Sequence, residues 1–189
     1  QVDIGMVRHM VLNSLRMYRQ KYHVEYGELV LCCDGRHSWR RDHFPQYKAA
    51  RKTNREADKR DWTQIFGCLD TIKSELEEYF PYKYIQIDES EADDIIGVLA
   101  RTATEKVMII SGDKDFIQLQ SHKNVKQYSP ITKKLITNSH PEKYLKEHIL
   151  RGDTSDGVPN FLSADNSIVD KIRQTPISKK KVELWIDQD

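Results

Sequence analysis

The sequence predicts an α/β fold in which helices flank a parallel sheet. Short apolar runs alternate with longer segments of helical periodicity, as they do when helices connect the strands of one sheet. Acidic residues directly follow several of the apolar runs, and sites in such sheets lie beyond the carboxyl ends of the strands. With 38% hydrophobic and 31% charged residues among 189, the composition excludes a disordered chain and a membrane span.

The first elements are a helix and a buried strand. Apolar residues at helical spacing predict a helix over about 3–22, with Asp3 as its cap. The unbroken apolar run 29–33 is typical of a strand covered on both faces, and Asp34 comes directly after it. A further helix is predicted over 62–79, where Pro81 prevents its continuation.

Two more strands and two more helices follow. The sequence predicts a strand over 82–87, and a strand over 106–111 that runs into Gly112-Asp113-Lys114-Asp115. Between these strands, 91–102 is predicted to be a helix with Ile95, Ile96, Val98 and Leu99 facing inward. The rest is predicted to contain a hairpin of 125–128 and 133–136 around Pro130, a helix over 141–150 and a turn-rich segment over 152–159.

The segment 39–60 is almost wholly polar, and we interpret it as an exposed, mobile helical excursion. Nine basic and three acidic residues between Arg36 and Arg60 give a local charge of +6, which leaves −5 for the rest of a chain whose total is +1. This segregation suggests a surface that attracts a polyanion, beside one that would repel it unless cations intervened. A solvated surface helix is the alternative interpretation of this segment.

Four acidic groups fall at strand ends, helix starts or tight turns, and we expect them to converge on one sheet edge. Any one of them alone would more often be a helix cap or a solvated turn, but the joint pattern favours a metal site. Carboxylates packed together repel one another, and such oxygen ligands without His or Cys suit Mg²⁺ or Mn²⁺. Two such ions would suit phosphodiester cleavage, with the basic segment holding a nucleic-acid backbone. The groups are Asp34; Glu91, Asp93 and Asp94; Asp113 and Asp115; Asp153 and Asp156.

The other reactive or aromatic residues receive plainer interpretations. The three cysteines suggest neither a disulfide framework nor a metal site, which favours a reducing compartment, the cytoplasm. The seven histidines follow no metal-ligand spacing, so we interpret them as surface or satisfied residues. Trp39, Trp62 and Phe66 are expected in core or hinge packing.

Three of these motifs together resemble the 5′ nuclease family, which includes flap endonucleases and the 5′-nuclease domains of bacterial DNA polymerases. They are the stretches 91–94, 111–116 and 152–159, in the family's order and spacing. Further segments, 6–9, 30–34, 39–42 and 124–127, are similar to the primer-removing phage members of the family. The resemblance implies a PIN-like core and a metal-dependent 5′→3′ nuclease that cuts at 5′ ends, flaps and RNA primers during DNA replication.

The resemblance also implies roles for individual residues. Asp34, Glu91, Asp93 and Asp113 match the ligands of the more tightly bound of two Mg²⁺ ions, for which Mn²⁺ can substitute. Asp115, Asp153 and Asp156 match the ligands around the second ion, and Asp94 matches an outer-shell partner. The segment 36–60 matches a basic helical arch that the single-stranded 5′ end passes, with Lys48 on the phosphate. The catalytic set is therefore Asp34, Lys48, Glu91, Asp93, Asp113 and Asp115, and the nucleic-acid-binding set is Arg40, Arg41, Tyr47, Lys48, Arg51, Lys52 and Arg55.

Domain limits and partners follow from the same resemblance. We expect a catalytic domain over 1–150 and part of a duplex-binding helix–three-turn–helix element over 151–189. The substrates implied are DNA and RNA–DNA hybrid with a 5′ flap or 5′ end. A monomer is expected, with a single-strand-binding protein or a sliding clamp as further partners and no membrane.

Two departures from the family accompany the resemblance. The family's first strand, which ends in a metal-binding Asp, is expected before Asp3 and has no counterpart. After Pro159, the segment 160–165 stands where the family has a glycine-rich turn. The alternatives are a catalytically inactive, structure-specific nucleic-acid-binding module, a PIN-like ribonuclease and a response-regulator-like phosphoacceptor.

Overall fold

The computed structural model describes residues 2–187 and divides the chain into two compact units. Unit 1 runs to His37 and resumes over Asp58–Met108, and unit 2 comprises Ser38–Ala57 and the chain from Ile109 onward. In chain order the elements are α1 Ile4–Tyr26, β1 Val30–Cys33, α2 Arg40–His43, α3 Ala49–Glu56, α4 Trp62–Tyr79, β2 Lys83–Gln86, α5 Ala92–Thr102, β3 Val107–Ile110, a 3₁₀ helix Lys114–Ser121, β4 Val125–Ser129, β5 Lys134–Ile136, α6 Pro141–Arg151 and α7 Lys179–Ile186.

Unit 1 is built on the parallel pair β1 and β2, in which Val30 lies opposite Lys83 and Cys33 opposite Gln86. Asp3 caps α1 as predicted, since its carboxylate accepts a hydrogen bond from the Met6 backbone N–H at 3.1 Å. The core forms where α4 contributes buried apolar side chains against α1 and β1. Its members include Cys68, Ile72 and Leu76 of α4, Val7, Val11 and Leu15 of α1, and Leu31 of β1.

Two predictions about the helices of unit 1 are wrong in detail. α1 continues to Tyr26, one residue before Gly27, whose φ of 76° ends the helix. In α5, Ile95 is buried but Val98 and Leu99 are exposed, although we expected them to face inward. Periodicity failed here because α5 carries apolar residues on more than one face.

Unit 2 contains the predicted hairpin. β4 and β5 pair antiparallel, with Gln127 opposite Ile136 and Ser129 opposite Lys134. β3 joins them in a three-stranded sheet of order β3-β4-β5, so the predicted parallel pairing is seen between β1 and β2. The 3₁₀ helix that follows β3 was not predicted, and it buries Phe116 and Ile117.

The last two helices of unit 2 are joined by a long turn-rich segment. α6 begins at Pro141, where a missing N–H costs nothing, and ends before Gly152, whose φ is 68°. A hydrogen bond connects the two helices: the Lys146 ammonium of α6 donates to the Ile186 carbonyl of α7 at 3.3 Å. Over residues 2–187, no helix is both long enough and apolar enough to cross a membrane.

Candidate metal and nucleic-acid site

In unit 1, a hydrogen bond joins the end of β1 to the start of α5. The Asp34 carboxylate accepts from the Ala92 backbone N–H at 2.8 Å, and the Asp34 carbonyl accepts from the Gln86 amide at 2.6 Å. Gly35 approaches the backbone so closely that a β-carbon there would collide with the Ile87 carbonyl. Asp34 is therefore held at the first turn of α5, the part of the helix that carries the next acidic group.

That acidic group begins at Glu91, the N-cap of α5. The Asp94 carboxylate accepts from the Glu91 backbone N–H at 2.9 Å, so Asp94 does cap the helix. Asp93 and Asp94 lie in the first turn, where the helix dipole favours negative charge. Unit 1 thus brings Asp34 to the helix start that bears Glu91, Asp93 and Asp94.

In unit 2, Asp113 and Asp115 follow β3 and open the 3₁₀ helix. The Asp113 carboxylate accepts from the Asp115 backbone N–H at 3.0 Å. An open pocket of about 420 Å³ lies here, and residues on both sides of Gly152 complete its wall. Its lining residues include Asp113, Asp115, Tyr144, His148 and Asp153.

Sequence reasoning missed His148, which we interpreted as a surface or satisfied residue. Its Nε2 lies 3.2 Å from Asp115 Oδ1 and 3.7 Å from Asp153 Oδ2. One donor atom from each of the three side chains lies within 4.8 Å of the others. No spacing rule could have found the residue, because Asp115 lies more than thirty positions away in the sequence.

The two carboxylates beside His148 differ in their proton affinity. Burial raises the pKa of Asp115, the charge of Asp113 raises it further, and His148 only partly offsets these effects. Burial also acts to raise the pKa of Asp153, but hydrogen bonds from the Ser155 hydroxyl and backbone N–H outweigh it and lower the pKa. Of these two carboxylates, Asp115 is therefore the one whose ionised form a neighbouring cation would stabilise more.

The base of the predicted arch contacts the turn after α6. The Tyr47 hydroxyl donates to Asp156 Oδ2 at 3.2 Å, and the Lys48 backbone N–H donates to the Asp156 carbonyl at 2.7 Å. Lys48 Nζ lies 3.8 Å from the same carboxylate, and Arg51 donates to its other oxygen at 2.5 Å. The prediction of an exposed excursion is wrong at this point, because Tyr47 is only 7% exposed.

The other predicted nucleic-acid residues lie along α2 and α3. Arg40 places its guanidinium 4.8 Å from the Trp39 ring centre and 5.9 Å from that of Tyr47. Arg41 and Lys52 are exposed, and Arg55 is half-buried. Trp39 and Phe66 are 43% and 42% exposed, so neither ring lies in the core, while Trp62 is half-buried. Packing of these rings at a hinge stays a prediction.

A second residue outside the predicted set supports the turn at Asp113. Gln127 is fully buried, and its amide nitrogen donates to the Ser111 carbonyl at 3.0 Å and to the Asp113 carbonyl at 2.5 Å. Its amide oxygen accepts from Gln120 at 3.2 Å. The amide nitrogen of Gln127 thus donates to two carbonyls of this turn, and because the side chain is buried, these two hydrogen bonds hold the backbone around Asp113 in place.

The donor groups of unit 2 fit a divalent cation. Ligands on one octahedral ion lie about 3 Å apart when each is about 2.1 Å from the metal. The Nε2 of His148 and the carboxylate oxygens of Asp115 and Asp153 already lie near these separations. Little movement is needed for these three side chains to bind the same ion.

Comparison with known proteins agrees with this chemistry. Residues 3–149 match the family model described as 5′-3′ exonuclease, N-terminal resolvase-like domain. Ribonuclease H of Enterobacteria phage T4 is 39% identical over an alignment of 166 residues that covers 84% of this chain and 54% of that protein. Flap endonuclease Xni of Shewanella pealeana is 32% identical over an alignment of 128 residues that covers 66% of this chain and 46% of that protein. The chain thus spans about half the length of these curated relatives.

Solved structures confirm the fold. The D15 protein of phage T5, crystallised with metal ions, superposes with a TM-score of 0.71 at 17% identity, covering 93% of this chain and 76% of that one. A complex of the T5 D15 flap endonuclease with DNA and metal ions gives 0.70, also at 17% identity, with 95% and 75% covered. The PIN-like α/β fold and the resemblance to phage nucleases are both confirmed, and the chain belongs to the family of 5′-3′ exonuclease N-terminal resolvase-like domains.

Proposed function

We propose that this protein is a metal-dependent 5′→3′ nuclease of the flap endonuclease and ribonuclease H type. It hydrolyses phosphodiester bonds at 5′ ends, 5′ flaps and RNA primers during DNA replication. Family membership supports the reaction class, and the names of the relatives support the substrates. The match to a phage protein supports a site of action in the cytoplasm of an infected host.

The observation that carries this proposal is that two basic residues of segment 38–57 pair with the carboxylate of Asp156, a proposed metal ligand. Lys48 and Arg51 both lie within ion-pair distance of this carboxylate. A nuclease needs metal-binding oxygens and phosphate-binding cations side by side, since both act on the charge of one phosphate. The basic residues of an ordinary solvated helix would face water, whereas Lys48 and Arg51 contact an acidic turn more than a hundred positions away in the sequence.

The proposed metal ligands are the predicted acidic residues of each unit. Unit 1 supplies Asp34, Glu91 and Asp93, with Asp94 as an outer partner that also caps α5. Unit 2 supplies Asp113, Asp115, Asp153 and Asp156. When bound, Mg²⁺ lowers the pKa of a coordinated water and neutralises charge that develops on the phosphate.

The basic and aromatic residues of segment 38–57 have binding roles in this proposal. Lys48 contacts the phosphate that is cut, and Arg51 and Tyr47 hold the arch base against Asp156. Arg40, Arg41, Lys52 and Arg55 hold the nucleic-acid backbone, which gives binding that weakens steeply with salt. A single-strand-binding protein or a sliding clamp is the proposed replication partner.

The test is cleavage of a 5′-labelled DNA flap and of a nicked RNA–DNA hybrid in Mg²⁺. We expect Asp113→Asn to lower the cleavage rate on the order of 100-fold or more while flap binding is kept. Asp70→Asn is the matched control, because Asp70 is exposed on α4 and lies outside both the acidic groups and the predicted duplex-binding element. This control should cut at the wild-type rate.

Two results would contradict the proposal. A protein that binds flaps but cuts neither substrate in Mg²⁺ or Mn²⁺ would be a structure-specific binding module. A protein that cuts single-stranded RNA but not flaps or hybrids would be a PIN-like ribonuclease.

A further inference from the structure

Among residues 2–187, His148 forms a group with Asp115 and Asp153 in which one donor atom of each side chain lies within 4.8 Å of the others, and the predicted ligand set lacks this histidine. It lies on the last turn of α6, and its carbonyl accepts from the Gly152 backbone N–H at 2.9 Å. Tyr144 stacks on the imidazole, with ring centres 6.0 Å apart and planes within 10°. The ring is thus held in one orientation on a rigid element, with Nε2 toward Asp115 and Asp153.

The Nε2 atom of His148 faces oxygens of both the Asp115 and the Asp153 carboxylates. A neutral Nε2 with a free lone pair would face the lone pairs of both carboxylates, which is repulsive. Either a proton on Nε2 or a metal ion shared by the three groups removes this repulsion. The distances of 3.2 and 3.7 Å suit both arrangements, because adjacent ligands of one ion lie about 3 Å apart.

We propose that His148 is a ligand of the metal ion bound by Asp115 and Asp153, and that it shifts this position toward Mn²⁺ or Co²⁺ relative to Mg²⁺. This inference rests on the proposed function, which makes the two carboxylates metal ligands. Imidazole nitrogen suits the later divalent metals, whereas Mg²⁺ prefers oxygen ligands. The protein therefore has one ion position of mixed nitrogen and oxygen ligands.

The direct test is pulsed electron paramagnetic resonance of Mn²⁺ bound to the protein, which detects coupling to a ligating imidazole nitrogen. The wild-type protein and His140→Gln should both show this coupling, and His148→Gln should lack it. His140 is the matched control because it is exposed and precedes the same helix.

Calorimetric titration gives the second readout. His148→Gln should weaken the affected Mn²⁺ site by roughly tenfold or more, and change Mg²⁺ binding by about threefold or less. His148→Asp, which supplies a third carboxylate, should bind Mg²⁺ more tightly than the wild type and show no nitrogen coupling. This second variant keeps the test informative should His148→Gln not fold.

Two outcomes would overturn the inference. One is an absence of nitrogen coupling in the wild type. The other is Mn²⁺ binding in His148→Gln that equals or exceeds that of the wild type, because His148 would then contribute nothing to binding of the ion.

Flap cleavage in Mg²⁺, measured on the same preparations, separates this inference from the proposed function. Cleavage without nitrogen coupling overturns only the role of His148. Nitrogen coupling without any cleavage supports the ligand role and counts against the nuclease.

Discussion

Arg51 donates a hydrogen bond from its guanidinium to Asp156 Oδ1 at 2.5 Å, across 105 positions of sequence. The Tyr47 hydroxyl binds the other oxygen of the same carboxylate at 3.2 Å. One acidic side chain thus anchors the base of segment 38–57 to the turn after α6. In the proposed nuclease, the segment that binds the substrate is therefore held in place by Asp156, which is also a proposed metal ligand.

Tyr47→Phe removes the hydroxyl contact and keeps the buried ring. We expect the free energy of unfolding to fall by about 1.5 kcal/mol or more, the usual net value of one hydrogen bond to a charged group. Urea titration monitored by circular dichroism gives this number. Tyr79→Phe is the control, because the Tyr79 hydroxyl also contacts a carboxylate, that of Glu78, but on a side chain that is 70% exposed. This control should change the free energy of unfolding by less than about 0.5 kcal/mol. Equal losses in both variants would show that the contact with Asp156 does not stabilise the protein.

Gln127→Met should be more damaging than its similar volume suggests. The change leaves the Ser111 and Asp113 carbonyls without the buried amide donor that they have in the native protein. We expect a loss of about 1–3 kcal/mol, the cost of burying unsatisfied polar groups. Thermal unfolding measures it, with Gln20→Met on the exposed surface of α1 as control. An unchanged melting temperature for Gln127→Met would show that the turn finds other partners.

Two glycine-to-alanine changes should alter the free energy of unfolding in opposite directions. Gly157 has a φ of 80°, and a β-carbon there would lie 2.8 Å from the Gln46 carbonyl oxygen, so Gly157→Ala should destabilise the protein by at least about 1 kcal/mol. Gly67 lies within α4 with nothing near its β-position, so Gly67→Ala should stabilise it by about 0.5–1 kcal/mol. Urea titration of both variants checks the pair. A neutral Gly157→Ala would mean that the contact between the turn and Gln46 is loose.

The Cys32 thiol should be slow to react in the native protein. Burial, and secondarily the neighbouring Cys33, raise its pKa from 9.0 to about 11. At pH 8 the thiolate fraction is then roughly 100-fold lower than in the unfolded chain. Alkylation by iodoacetamide, followed at Cys32 by mass spectrometry with and without urea, should show a slowing of that order.

The same shift has a consequence for stability. A raised pKa means that the unfolded chain loses this proton first as the pH rises, so the free energy of unfolding should fall as the pH rises from 9 toward 11. Cys32→Ser should remove that part of the pH dependence. A native alkylation rate close to that in urea would contradict both expectations.

Sequence patterns predicted the regular elements of this chain better than its site. Apolar runs located β1 and β2, and turn chemistry located the β4–β5 hairpin, because these features depend on near neighbours in the sequence. The burial of Tyr47 was not predictable, since the partner that covers it lies 109 positions away. A single aromatic residue in a highly charged segment is predicted to be exposed, because the sequence does not show which distant residue it contacts.

The acidic groups could be singled out as candidate ligands because carboxylates at strand ends and helix starts form a visible pattern. His148 and Gln127 were missed for the opposite reason. Each acts through geometry, His148 by the orientation of its ring on α6 and Gln127 by its complete burial. Neither property leaves a spacing in the sequence that differs from that of an ordinary residue.

The discontinuity of unit 2 has a consequence for how the protein is made. Ribosomes synthesise segment 38–57 long before Asp156, yet this residue provides its anchoring contacts. While the nascent chain is short, Lys48 and Arg51 lack the carboxylate with which they pair in the folded protein, and they remain open to any polyanion nearby, including ribosomal RNA. The contacts that anchor this segment therefore form late, when the turn after α6 has left the exit tunnel.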